Sequence, residues 1–299
     1  MPGRRSALES APVMTTLTYQ RPTSLREALE TGGSDGARFV SGGTDLMVQR
    51  RSGRSGTENL VSLRRVEELA GIDWKNDQLR IGAAVPLAGI GADQRIARDF
   101  PALAQAIAAL GSVQIRNVAT LGGNLCNASP AADTAPALLA YEARIEIANT
   151  GGTRTVGLDE FFTGPGSTVL QPGELLTAIL LDARQSAGSA FMRLGRVRMD
   201  LAIASAAALV EIEDNRCTHA RVAVGAVAPT PLRLSAVEEI LEGKAPDGPT
   251  LAKAQAAVDA LISPISDLRA SARHRRRITP VLVARALEAA ISMATGDAQ

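Results

Sequence analysis

The sequence predicts an α+β protein made of more than one compact unit, on three observations. The chain has 299 residues, more than one small core usually organises. Its first part mixes short apolar strands with helices. From about Ser186 the texture changes to long alternating strands followed by three helical stretches. One boundary therefore falls near Asp182 to Ser189 and a softer one near Leu69 to Asp77. They divide the chain into a flexible leader, 1–16, a first domain, 17–184, with subdomains of about 17–70 and 71–184, and a C-terminal domain, 185–299.

After the leader, PTSLREALE starts a helix: Ser24 and Glu27 have capping-box spacing, Leu25, Ala28 and Leu29 form an apolar stripe, and Gly32 with Gly33 ends it. ARFVSGGTDLMVQRR is a short apolar strand running into a double glycine, and NLVSL and QLRIGAAV are further strands. FPALAQAIAALGS is a helix with Pro101 in its first turn and Gly111 as its stop, leading into VQIRNVATLGGN. PALLAYEARIEIANTGGTRTVGL reads as a helix end, a strand and a hairpin turned by Gly151 and Gly152. GELLTAILLDA, which carries Leu175, is another strand. In ALVEIEDNRCTHARVAVGAVA, Asp214 and Asn215 mark a turn between two antiparallel strands. Three helices follow in RLSAVEEILEG, TLAKAQAAVDALI and TPVLVARALEAAISMA, the last expected to begin with Thr279 as N-cap and Pro280 at the first helical position.

Lys and Arg number 32 against 31 Asp and Glu, a net charge of +1, which argues against a nucleic-acid or other polyanionic partner. Aromatic residues make up only 3% of the chain, too few for base-stacking platforms. Cys126 and Cys217 are far apart and lack a C-x-x-C partner, so neither a disulfide framework nor a zinc or iron–sulfur site is expected, and no metal ligand is assigned. A reducing cytoplasm is the expected location. Arg4 and Arg5 have the look of a twin-arginine signal, but no apolar segment follows them. No stretch reads as a membrane span.

VSGGTDL and ATLGGNL both read as strand-to-turn segments. Paired glycines let a backbone bend and approach a ligand without a Cβ in the way. Successive N–H groups in such a turn form an anion nest, and Ser41, Thr44 and Thr120 add hydroxyls. Either loop alone reads more readily as a plain tight turn; two with matching polar flanks point to a diphosphate held between them. The chain has neither a G-x-x-x-x-G-K-[ST] motif nor a G-x-G-x-x-G opening a helix, which disfavours P-loop and Rossmann nucleotide sites. His219 and His274 lie outside the glycine region with no triad partner in view, so no catalytic acid, base or nucleophile is assigned. A bound redox cofactor that carries the chemistry accounts for that poverty.

FVSGGTDLM together with QIRNVATLGGNLCNASPAADTAPALLA resembles the FAD-binding domain of the molybdenum hydroxylases, the medium-subunit family of xanthine dehydrogenase and carbon monoxide dehydrogenase. FMRLGRVRMDLAIASAAALVEI, VAVGAVAPTPLRL and SPISDLRASARHRRRITPVLVARAL continue the resemblance in order and spacing. It implies a two-subdomain FAD-binding domain of the PCMH type, followed by a C-terminal antiparallel sheet with helices like that of the CO dehydrogenase flavoprotein, closing over the flavin. The implied cofactor-binding residues are Phe39, Val40, Ser41, Gly42, Gly43, Thr44, Asp45 and Leu46 in the first loop and Thr120, Leu121, Gly122, Gly123 and Asn124 in the second. The resemblance also places Leu110 against the adenine side, Asp133 at the sugar portion, and Leu175 and Arg193 in the cofactor set. Two departures stand out. Arg193 is the nearest cation to a position where many relatives carry Lys, and the cysteine-rich insertion that binds a four-iron cluster in some relatives is missing. Cys126 reads as a small packing residue.

The function implied is an oxidoreductase subunit holding noncovalent FAD. Partner chains would carry the molybdenum cofactor (large subunit) and two 2Fe-2S clusters (small subunit), in a dimer of heterotrimers. Electrons would pass from the clusters through FAD to an external acceptor. A free-standing noncovalent flavin oxidoreductase and a nonredox nucleotide-binding assembly module are the alternatives.

Overall fold

The structure, a computed structural model, describes residues 17–54 and 59–296; the leader and Arg4–Arg5 lie outside them. The first unit is a three-stranded parallel sheet in the order β1-β3-β2, formed by β1 (Thr18–Gln20), β2 (Ala37–Val40) and β3 (Asn59–Ser62). Helix α1 (Leu25–Gly32) begins where expected, with the Ser24 hydroxyl accepting from the Glu27 N–H at 3.2 Å. Glu27 reaches back one residue further than a standard capping box, to the N–H of Thr23 at 2.8 Å. Helix α2 (Leu46–Arg51) follows β2 after a five-residue turn. Ala28 and Leu29 pack with Leu63, Val66 and Leu69 and with Ala148 and Leu175 of the next unit, so this sheet is fastened to its neighbour by a small shared core.

The second unit is an antiparallel sheet in the order β4-β5-β10-β6-β7. β4 (Ile72–Lys75) occupies the stretch where the sequence suggested a boundary, and it turns through Asn76, at φ 56°, into β5 (Gln78–Gly82). The signal for β4 is faint because Asp73 and Lys75 are exposed and only Ile72 and Trp74 face inward. Arg95 lies over the Trp74 ring, 3.7 Å from its centroid. Six helices then pass beneath the sheet: α3 (Leu87–Ala92), α4 (Gln94–Asp99), α5 (Pro101–Ala109), α6 (Val113–Arg116), α7 (Leu121–Cys126) and α8 (Thr134–Ala140). After them come β6 (Arg144–Asn149), β7 (Gly152–Gly157), α9 (Leu158–Phe161), the small hairpin of β8 (Phe162–Gly164) and β9 (Ser167–Thr168), and β10 (Leu175–Asp182). Leu79, Ile81, Leu103, Ile107, Leu138 and Ile145 lie at the centre of this core.

The C-terminal unit is a four-stranded antiparallel sheet of β11 (Ala187–Leu194), β12 (Ala204–Glu213), β13 (Arg216–Gly225) and β14 (Leu232–Arg233). Asp214 and Asn215, at φ 49° and 58°, turn β12 into β13 as expected. α10 (Ser235–Leu241), α11 (Gly248–Leu261) and α12 (Ala272–Thr295) cover one face. α12 corrects the sequence reading. It starts at Ser271, whose hydroxyl accepts from the His274 N–H, and Pro280 lies inside it. Thr279 caps nothing; its buried hydroxyl donates to the Arg275 carbonyl at 2.7 Å. The ARHRRR turns were hidden by their charge, yet Arg275 is buried and donates to the carbonyls of Ile203 and Ala226. α12 also has the length and composition to cross a bilayer, which the sequence reading did not anticipate. Val283, Ala286, Leu287 and Ala290 instead bury one face of it against the sheet.

α8 is the joint between the second and third units. Every residue of it is buried. Ala226 donates to the Pro130 carbonyl at 2.7 Å, and Tyr141 and Ser189 hydrogen-bond across the same seam at 2.5 Å. Glu142 lies there too, in ion pairs with Arg184, Arg221 and Arg233.

Candidate functional site

The first glycine pair closes β2. Gly43 takes φ +70°, a conformation that costs any residue with a Cβ. A Cβ at Gly42 would collide with the Val118 carbonyl and the Ala119 backbone, so the loop touches the chain segment that enters the second glycine pair. Asp45 precedes α2 without capping it, and burial raises its carboxyl above the ordinary range. The loop's carbonyls serve the helix that follows: that of Gly43 takes the Met47 N–H and that of Asp45 the Gln49 N–H. The backbone N–H groups of Gly42, Gly43, Thr44 and Asp45 make no hydrogen bond to any described residue.

The second pair differs from expectation. ATLGGNL is no strand-to-turn segment. Thr120 pairs in a single bridge with Pro86 and caps α7, and both glycines are inside that helix. All four N–H groups of the motif are taken: Leu121 donates to Val85 at 3.3 Å, Gly122 to Ala83 at 3.1 Å, Gly123 to the Thr120 hydroxyl at 3.2 Å and Asn124 to the Thr120 carbonyl at 2.9 Å. A Cβ at Gly122 would stand 2.7 Å from the Ala83 Cβ and carbonyl oxygen. That glycine serves helix-to-strand packing. Gly123 is exposed, toward the cleft.

Between the loops lies a cleft of about 690 Å³, within the range of small-molecule and cofactor sites. Its walls include all eight residues from Phe39 to Leu46, then Leu110, Thr120, Gly122, Gly123, Asn124 and Leu175. Arg116 donates to the Leu110 and Gly111 carbonyls at 2.9 and 3.1 Å, fixing the corner that carries Leu110. Apart from Leu175, the sequence reading missed a third wall, Gly166–Thr168 and Leu170–Leu176. The clustered Gly and Pro of TGPGSTVLQPGE were the available signal. Glu174 in that wall is held by Arg154 at 2.7 Å, and that bond keeps its carboxyl below the ordinary range. Gln49 on α2 and Asn127 at the end of α7, also missed, bridge the two loop helices with a 3.0 Å hydrogen bond. Arg38 is the one cation among the described lining residues.

Three expected site residues stand behind the wall. Leu121 is fully buried in the core. Asp133 and Arg193, both buried, face one another with Oδ1 and Nε 2.9 Å apart, an ion pair whose N–H is not aimed at the oxygen. Burial pushes the Asp133 carboxyl up to about 6 despite the guanidinium. Arg193 also donates to the carbonyls of Ala109, Arg198 and Asp200, so it is no solvated charge. Cys126 is open to the cleft where the sequence suggested packing. Enough protein surrounds its sulfur to push the thiol up to about 12, which leaves it protonated and unreactive at neutral pH.

A family described as the FAD binding domain in molybdopterin dehydrogenase matches residues 14–181, and the CO dehydrogenase flavoprotein C-terminal domain matches residues 189–290. The carbon monoxide dehydrogenase medium chain of Afipia carboxidovorans is 32% identical over 91% of this chain and 96% of its own. A putative xanthine dehydrogenase FAD-binding subunit of Escherichia coli is 31% identical over 94% and 98%. In the solved carbon monoxide dehydrogenase of Hydrogenophaga pseudoflava, one chain superposes with a TM-score of 0.90 at 30% identity, over 93% of this chain and 98% of that one. These relatives are subunits of oxidoreductases. With two family matches in tandem and a shared fold over nearly the whole length, the chain belongs to the FAD-binding flavoprotein subunits of the molybdopterin dehydrogenases.

Proposed function

We propose that this chain is the electron-transfer subunit of a cytoplasmic molybdenum hydroxylase, taking electrons from 2Fe-2S clusters of a small subunit and delivering them through FAD to an external acceptor. A large subunit would hold the molybdenum cofactor and the substrate, in a dimer of heterotrimers. The observation that carries the reading is the row of unengaged N–H groups at Gly42–Asp45 on the wall of a cleft of cofactor size. It fits a diphosphate, whose oxygens are acceptors only and which a nest of amides can hold without a lysine.

FAD, when bound, supplies the redox chemistry. The protein's part is to bind and orient it. The amides of Gly42, Gly43, Thr44 and Asp45 would hold the diphosphate, joined by the hydroxyls of Ser41 and Thr44. Thr120, Gly122, Gly123 and Asn124 form the opposite wall, held rigid by their own hydrogen bonds. Phe39, Val40, Leu46, Leu110 and Leu175 exclude water from the apolar parts of the cleft. Asp133 and Arg193 hold the C-terminal domain, 185–299, against the FAD-binding domain, 17–184, from behind.

The test is an absorption spectrum of the chain purified alone and with co-expressed neighbours, followed by denaturation and mass analysis. Released FAD, with iron and molybdenum present only in the co-purified complex, is the expected result. Flavin with autonomous turnover would point to a free-standing reductase, and a flavin-free chain in both preparations to a nonredox module.

A further inference from the structure

The four most exposed large apolar side chains among the described residues are Leu268, Ile265, Val197 and Met199, at 79, 69, 66 and 64%. They lie on two loops, 195–203 between β11 and β12 and 263–271 before α12, and Leu201 on the first is also exposed. The loops are tied together. Arg269 approaches Asp200 at 3.8 Å, and Arg275 binds both Asp267, at 2.9 Å, and the Ile203 carbonyl. Arg193 ropes the first loop to the cleft wall, since one guanidinium donates to the carbonyls of Arg198 and Asp200 and to that of Ala109, next to Leu110.

The same two segments concentrate charge. Residues 195–203 and 263–277 hold seven arginines against two aspartates, a net +5, which leaves −4 for the rest of a chain whose total is +1. Arg198, Arg273 and Arg277 are exposed and form no ion pair with a described residue. Neither segment contains Phe, Trp or Tyr, the side chains that stack on nucleic-acid bases or anchor at a membrane interface. Exposed apolar side chains interspersed with arginines fit a protein surface that is apolar in part and acidic in charge.

Resting on the electron-transfer reading above, we infer that loops 195–203 and 263–271, with the start of α12, form the docking surface for a small acidic electron-acceptor protein. Each acceptor molecule takes one electron, so two such encounters discharge the two-electron-reduced flavin, and its protons leave to solvent. The contact is built for brief, steered encounters: small, charged and adjacent to the cofactor cleft.

An acidic flavodoxin is a suitable probe. Its binding to the assembled complex is measured by calorimetry, and its reduction by the reduced complex by stopped flow, beside that of a small uncharged dye. The wild-type complex should bind it at low salt and release it as salt rises. The triple variant R198E/R273E/R277E should bind about tenfold more weakly and reduce flavodoxin correspondingly more slowly, with dye reduction unchanged. Leu268→Ser should weaken binding with little change in its salt dependence. The inference is overturned if flavodoxin does not bind at low salt, or if the triple variant binds it as well as wild type. It is equally overturned if the patch is covered in the assembled complex, mediates self-association, or binds anionic vesicles instead. Loss of dye reduction in the wild-type complex would count against the electron-transfer reading, while the binding measurement would still judge the surface.

Discussion

Around Gly42 and Gly43 the backbone N–H groups have no acceptor among the described residues, whereas around Gly122 and Gly123 each is already bound to a protein oxygen. The two motifs look alike in sequence, S-G-G-T and L-G-G-N. One uses glycine to hold an open turn at φ +70°, the other to let a helix press against Ala83, just past β5, where a Cβ would stand only 2.7 Å from that residue. A glycine pair is thus two different devices: a source of free donors where the chain turns, and a means of close approach where a helix begins. Here they face each other across one cleft, the first donating and the second giving a rigid wall.

The sharpest way to break this contrast is Gly42→Val. Its side chain would collide with the Val118 carbonyl, where two backbones meet and neither can yield. FAD retention should be lost and the fold destabilised by about 3 kcal/mol or more, read by flavin content and denaturant titration. Gly123→Val separates binding from folding. Its Cβ would meet only the Thr120 hydroxyl, at 2.9 Å, so the variant should lose FAD through bulk in the cleft while stability changes by about 1 kcal/mol. Normal flavin content in that variant would remove the second wall from the site.

Behind the second loop, Asp133 offers a pH test. Its carboxyl titrates near 6 in the folded chain against an ordinary 3.8. Between those values the folded state keeps a proton that the unfolded state has lost, so stability falls as pH rises from about 4 to about 6, by about 1–3 kcal/mol. Asp133→Asn should flatten that window in urea titrations across the range. The smallest expected effect is that of salt. The described lining offers Arg38 as its one cation beside Asp45 and Glu174. Amides and hydroxyls dominate the contacts, so FAD affinity should change less than about threefold between low and high salt. A steep salt dependence would mean that charged side chains, not the first loop, hold the diphosphate.

Much of the architecture was legible. Ser24 caps α1, Pro101 opens α5, and Asp214–Asn215 turn β12 into β13, each because a local steric or hydrogen-bonding demand selects those residues. The failures share a cause. α6 and α7 span four and six residues, too short for a helical period to show, so the second glycine pair passed for a turn. Thr279–Pro280 carried a local start signal, but burial of Arg275 and the Ser271 cap extend α12 backward through a charged run. At the site, the first loop could be read from its glycines and Leu110 and Leu175 by resemblance, while Gln49, Asn127 and the rest of the 166–176 wall join the cleft only through tertiary packing. Asp133 and Arg193 carried a role by resemblance, and their pairing across the seam depends on contacts between units that no local pattern encodes.

The contrast between the loops is tested most directly by amide hydrogen exchange on the chain with and without FAD. Without FAD, the amides of Leu121 to Asn124 should already be protected and those of Gly42 to Asp45 should exchange freely; with FAD, protection should appear at Gly42 to Asp45 and change little at Leu121 to Asn124. New protection at Leu121 to Asn124, with Gly42 to Asp45 still exchanging freely, would contradict the account.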